Sequence, residues 1–190
     1  MLQSLARLII KALGWKLIEP PNRPARMLIV AYPHTSNWDA LYALLTGLAL
    51  ELRANWAAKD SLFFWPIGGL LQRLGGIPVN RRQRTGFVDQ MVERFASDPN
   101  CILIMAPEGT RKKADKIKSG FYYIAYEAHI PIVMFSFDYE NKTIHCLGVF
   151  EPTGHFEQDL EQILQRYVGK FSPKNPDWLA KPLQKQWKKH

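Results

Sequence analysis

Met27-Leu28-Ile29-Val30-Ala31-Tyr32-Pro33-His34-Thr35-Ser36-Asn37-Trp38-Asp39 is the stretch on which the rest of the chain turns. Its first four residues form a short unbroken apolar run, the pattern of a strand covered on both faces. Pro33 and the polar Thr35-Ser36-Asn37 cluster end that run, and Thr35 or Ser36 is placed to cap a helix from Trp38 to about Leu52. On a continuous helix His34 and Asp39 would be rotated apart by about 140°. With His34 left on the turn and Asp39 in the first helical turn, the carboxylate can reach back to one ring nitrogen. The other nitrogen is then free to accept a proton. Taken alone, the pair also reads as a turn histidine followed by a carboxylate that suits the helix dipole.

Two further strand ends carry polar residues of the same kind. Gly75-Gly76-Ile77-Pro78-Val79-Asn80-Arg81-Arg82 sets two glycines and a short strand before paired arginines, whose forked donors suit a phosphate. The apolar run Cys101-Ile102-Leu103-Ile104-Met105-Ala106 leads into Pro107-Glu108-Gly109-Thr110-Arg111. That turn offers a carboxyl group, a glycine for close backbone approach and a cation, at the edge of the sheet where α/β proteins bind ligands.

Amphipathic helices are expected over residues 2 to 13, from Thr85 or Gly86 to about Ser97 and over Phe156 to Tyr167, and a short helix over Phe121 to Ala128. Leu62 to Leu74, capped by Asp60 or Ser61, is interrupted at Pro66 and Gly68-Gly69, and its Phe63, Phe64 and Trp65 could line an acyl-chain groove. Ile130 to Phe135 reads as a buried strand, and Asn141-Lys142 as the turn of a late hairpin leading to Thr143–Phe150. Strands alternating with helices predict one α/β layered domain whose mixed, largely parallel sheet is flanked by helices. The expected organisation is an amphipathic N-terminal segment, 1–18, as a membrane-interface candidate; a main domain, 19–170; and a basic, tryptophan-containing tail, 171–190.

The 190 residues carry a formal net charge of +8. Lys170, Lys174, Lys181, Lys185, Lys188 and Lys189 stand against Asp177 alone, with Trp178 and Trp187 interleaved. Lysines and indoles together suit an anionic membrane surface. Nucleic acid is not the expected partner, because the basic residues lie in the motif loops and the tail without a reading module. Cys101 and Cys146 are far apart and lack CxxC spacing, as in reduced structural thiols. The five histidines lack metal-ligand spacing, so no metal is expected.

Together the blocks resemble the glycerolipid acyltransferase family, which contains the bacterial 1-acylglycerol-3-phosphate acyltransferases. The likeness covers about residues 27 to 135. His34 through Asp39 matches the family's HxxxxD block, Gly75 to Arg81 resembles its second block, Pro107 to Arg111 its third, and Ile130-Pro131-Ile132-Val133 its fourth. The resemblance implies an acyltransferase of that fold, in which His34, oriented by Asp39, deprotonates an acceptor hydroxyl that attacks the thioester of acyl-CoA or acyl-carrier protein directly. No acyl-enzyme and no cofactor beyond that co-substrate are implied. Gly75, Arg81, Glu108, Gly109, Thr110 and Arg111 become substrate-binding positions: the arginines for an anionic headgroup, Glu108 and Thr110 for polar groups of the acceptor. Backbone amides at the start of the helix after His34 are expected to steady the oxyanion. The implied acceptor is a lysophospholipid, and the implied location is the cytoplasmic face of the inner membrane, bound peripherally. Pro78 stands where phosphatidate-forming members usually carry an aromatic residue, which keeps a different lyso-lipid, such as a lyso-aminolipid, open as acceptor. A non-catalytic membrane-surface binding module is the reading from another class.

Overall fold

The computed structural model describes residues 2–20, 22–79, 86–109 and 113–187. Within them the chain runs α1 (Leu2–Ala12), β1 (Lys16–Ile18), β2 (Met27–Ala31), α2 (Trp38–Ala49), β3 (Ala54–Lys59), a 3-10 turn (Asp60–Leu62), α3 (Ile67–Arg73), β4 (Gly76–Val79), α4 (Phe87–Ser97) and β5 (Ile102–Met105). It continues through α5 (Gly120–Glu127), β6 (Ile132–Asp138), β7 (Thr143–Phe150), α6 (Phe156–Tyr167), a 3-10 turn (Pro176–Trp178) and α7 (Lys181–Trp187).

One sheet orders its strands β1-β7-β6-β2-β5-β3-β4. β2 lies between β5 and β6, parallel to both, while β6 and β7 form the antiparallel hairpin. The expected mixed, largely parallel α/β layering is therefore what the chain builds. The apolar run of β2 is covered on both sides. Met27 and Ile29 pack with Tyr42, Leu45 and Ala49 of α2 and with Ala6 and Ile10 of α1. Leu28 and Val30 pack with Met91, Phe95, Tyr122 and Ile163. Side chains alternate along a strand, so a continuous hydrophobic run is what a doubly covered strand requires.

The direction of each crossover decides which face its helix takes. From β2 through β3 to β4 the chain moves one way across the sheet, and from β4 through β5 to β6 it moves back. Right-handed connections then place α2 and α3 on one face, and α4 and α5 on the other.

Three local outcomes differ from the sequence reading. The helix after His34 stops at Ala49, with Glu51 at φ 55 just beyond it. Lys16–Ile18, which the sequence did not mark as a strand, extends the sheet by pairing with Thr143–His145. The basic tail belongs to the domain: Phe171, Leu179, Ala180 and Leu183 are buried in the core cluster opposite α1.

Candidate active site

β2 hands its chain to α2 on one face, whereas the neighbouring β5 leads to α5 on the other. The crevice between their carboxyl ends is thus the switch point at which open α/β sheets bind ligands. His34 follows β2 and Glu108 follows β5, one on each side of it.

Asp39 is the second residue of α2 and is 1% exposed. Its Oδ2 accepts the backbone N–H groups of Thr35 and Ser36, each at 2.8 Å. The same oxygen stands 3.3 Å from His34 Nδ1, while the imidazole remains 23% exposed. A carboxylate at that distance favours the proton on Nδ1, so Nε2 is the ring atom that can take one from a bound hydroxyl. The N-cap of α2 is Asn37 and not Thr35 or Ser36; Ser36, one residue earlier, accepts from Trp38 N through its Oγ at 3.2 Å. The loop between strand and helix is thus wound around the Asp39 carboxylate, which brings the pair together at a spacing that a helix would not allow.

The same bonds engage the amides that precede α2. The Thr35 and Ser36 amides are engaged by Asp39, and the His34 amide donates to Glu108 Oε1 at 2.8 Å. These three N–H groups are therefore not aimed at an oxyanion.

Glu108 is 3% exposed and grips the His34 backbone. Its carboxyl side chain is buried and supports the loop that carries His34. Burial pushes it up to about 8, and the Asp39 charge adds to the rise against the opposing pull of the His34 amide. This environment favours the protonated form of Glu108 over the carboxylate.

Gly109 closes the turn at φ 61, its N–H donating to Ala106 O at 3.0 Å. Gly75 has φ 86, and a Cβ there would come within 2.5 Å of Ala54 O on β3. Both glycines are demanded by backbone geometry. Arg81, Thr110 and Arg111 lie outside the described residues.

Cys101 is buried, Cys146 half-buried, and burial pushes both thiols up. They stay protonated and poorly nucleophilic. Among the described residues no group of three or more His, Cys, Asp or Glu converges as a metal site would.

Several residues at the site escaped the sequence reading. Tyr139, just past β6, donates its hydroxyl to Asp39 Oδ1. Lys174 N donates to Thr35 Oγ1 at 3.2 Å, and Asn175 Nδ2 to Thr35 O at 2.7 Å. The Lys174 ammonium lies 5.3 Å from the Trp38 ring centroid, a cation–π distance. They lie a hundred residues or more along the chain from the groups they touch, so no local pattern marks them. The position of β6 beside β2 brings in Tyr139, and the bridge between Asp138 and Ser172 brings in the segment that carries Lys174 and Asn175.

An α/β sheet with a histidine–aspartate pair set at its switch point defines the class of this protein. The chain belongs to the Acyltransferase family, whose model matches residues 16–138. Two plant relatives named 1-acyl-sn-glycerol-3-phosphate acyltransferase, from Limnanthes douglasii and Limnanthes alba, are each 34% identical over 106 residues. The alignments cover 53% of this chain and 37% of each relative, so the chain spans little more than a third of their length. The crystal structure of the 1-acyl-sn-glycerophosphate (LPA) acyltransferase PlsC from Thermotoga maritima shares the fold. It superposes with a TM-score of 0.58 at 17% identity, covering 89% of this chain and 76% of that one.

Proposed function

We propose that this protein transfers a fatty acyl chain from acyl-CoA or acyl-carrier protein to the free hydroxyl of a lysophospholipid, foremost 1-acylglycerol-3-phosphate, in membrane phospholipid synthesis. The observation that carries this reading is the buried Asp39 carboxylate 3.3 Å from the partly exposed His34 ring. In the reaction, His34 Nε2 removes the acceptor hydroxyl proton as the oxygen attacks the thioester carbonyl carbon. The C–S bond breaks, and the departing thiolate takes the proton back from the imidazolium, giving an ester and a free thiol. The raised thiols of Cys101 and Cys146 fit a direct transfer without an acyl-enzyme. Arg81 and Arg111 are assigned to the acceptor's anionic headgroup on the strength of the sequence blocks.

A lipid surface is the proposed setting, at the cytoplasmic face of the inner membrane. No helix among the described residues is long and apolar enough to cross a membrane. Attachment is therefore assigned to surface side chains: Leu2, Leu5 and Leu8 of α1, and Leu41, Leu44 and Leu48 of α2, all exposed on two helices that pack on one face of the sheet. Trp65, 90% exposed just before α3, adds an indole on the face that crossover handedness gives to α2 and α3. Indoles favour the headgroup region.

Thiol release from palmitoyl-CoA on mixed micelles, with a panel of lyso-acceptors and then with acyl-carrier protein as donor, tests the reading. Acceptor-dependent release is expected, and His34→Ala should lower it by about 10²- to 10⁴-fold, with an unchanged circular dichroism spectrum and vesicle binding. Near wild-type turnover in that variant would remove His34 as the base. Vesicle binding without thiol consumption from any donor would leave a membrane-surface binding module.

A further inference from the structure

The geometry points to Tyr139 as a positioning residue of the His34–Asp39 pair: bonded to Asp39 Oδ1, its hydroxyl fixes the carboxylate's rotation so that Oδ2 faces the histidine ring. The inference rests on the acyl-transfer reading. Tyr139 lies one residue beyond the segment that the family model matches and in none of the sequence blocks.

An aspartate side chain turns easily about its terminal bond, because that torsion has broad minima. The two loop amides both bind Oδ2, which fixes one end of the carboxylate. Tyr139 supplies the missing constraint from the opposite side. A bond to each oxygen then defines the carboxylate plane, and with it the line toward His34 Nδ1.

The phenol can hold this position because it is itself held. Its ring meets Trp15 edge-on at 5.1 Å and Tyr42 at 6.0 Å. Its backbone N–H donates to Ser172 O at 3.3 Å, Glu140 N donates to Ser172 Oγ at 2.7 Å, and that hydroxyl donates to Asp138 Oδ1 at 2.6 Å. The segment returning from α6 therefore clamps the hairpin beside the catalytic loop. The charged and titratable groups facing Tyr139 are Asp39 and Tyr42 on α2 and the Lys174 ammonium 5.5 Å from its ring. Burial first, and the bond to Asp39 second, push the phenol well above its ordinary range, so it remains a donor wherever the enzyme works.

Tyr139→Phe removes one oxygen and keeps the ring between Trp15 and Tyr42. In the purified full chain, kcat for acyl transfer is expected to fall about 10- to 100-fold, with KM for donor and acceptor within about two-fold. The titration midpoint of the His34 ring, followed by NMR of histidine-labelled protein and identified by its loss in His34→Ala, should move. Without the phenol the carboxylate is free to turn, and the field at the imidazole changes with it. A merely packed tyrosine moves neither quantity. Wild-type kcat in Tyr139→Phe, or an unmoved His34 titration, overturns the assignment. The NMR readout needs no turnover, so if wild-type protein transfers no acyl group the acyl-transfer reading falls separately, and the His34 titration still decides the role of Tyr139.

Discussion

At the residue scale, Glu108 shows how burial can reassign a polar side chain. In the sequence it stands in a turn that ends on Arg111 and reads as a substrate contact. In the fold it lies under the His34 loop, bonded to that residue's amide. Its carboxyl is pushed up to about 8, above its value in an unfolded chain. Between the two values the folded protein keeps a proton that the unfolded chain has released. Glu108's contribution to stability is thus full below the ordinary carboxylate range and is lost as pH rises toward 8, by up to about 1.4 kcal/mol per pH unit. Glu108→Gln keeps an oxygen for the His34 amide and has nothing to titrate. Urea melts between about pH 5 and pH 8 should show a shallower decline in the variant, and parallel declines would mean that Glu108 is ionised in the native state.

At the scale of elements, α1 and α2 are amphipathic in an unusual direction. The residues that α1 buries are Ala6 and Ile10, small and mid-sized groups that let the helix lie close to α2. The leucines remain outside. On α2, Leu44 is 50% exposed while Tyr42, Leu45 and Ala49 face the sheet. A soluble helix of this composition would ordinarily bury its leucines, and their position fits a lipid surface. Leu44→Asp is expected to weaken binding to vesicles containing anionic lipid by at least about tenfold, with little change in melting temperature because the side chain leaves the protein core untouched. Unaltered binding in a pelleting assay would move the attachment site elsewhere.

At the scale of the molecule, the tail and α1 sit on opposite faces of one sheet. α7 buries Leu183 completely and packs Trp187 against the same core cluster. The buried apolar residues of the tail therefore act in stability, on the face opposite the one that α1 covers. Leu183→Ala should cost about 2–5 kcal/mol in a denaturant melt while the folded fraction binds vesicles as the parent does; a loss near zero would mean that the tail is only draped on the domain. The sequence by itself determined the alternation of strands and helices, the run of β2 covered on both faces, and the His34–Asp39 pair, since each is written within a few neighbouring residues as periodicity, punctuation or spacing. Tertiary structure alone decided that Tyr139, Lys174 and Asn175 stand beside that pair, and which apolar residues stay outside. Those outcomes depend on strand order and crossover direction, which bring together residues a hundred or more positions apart, and no local pattern encodes such neighbours.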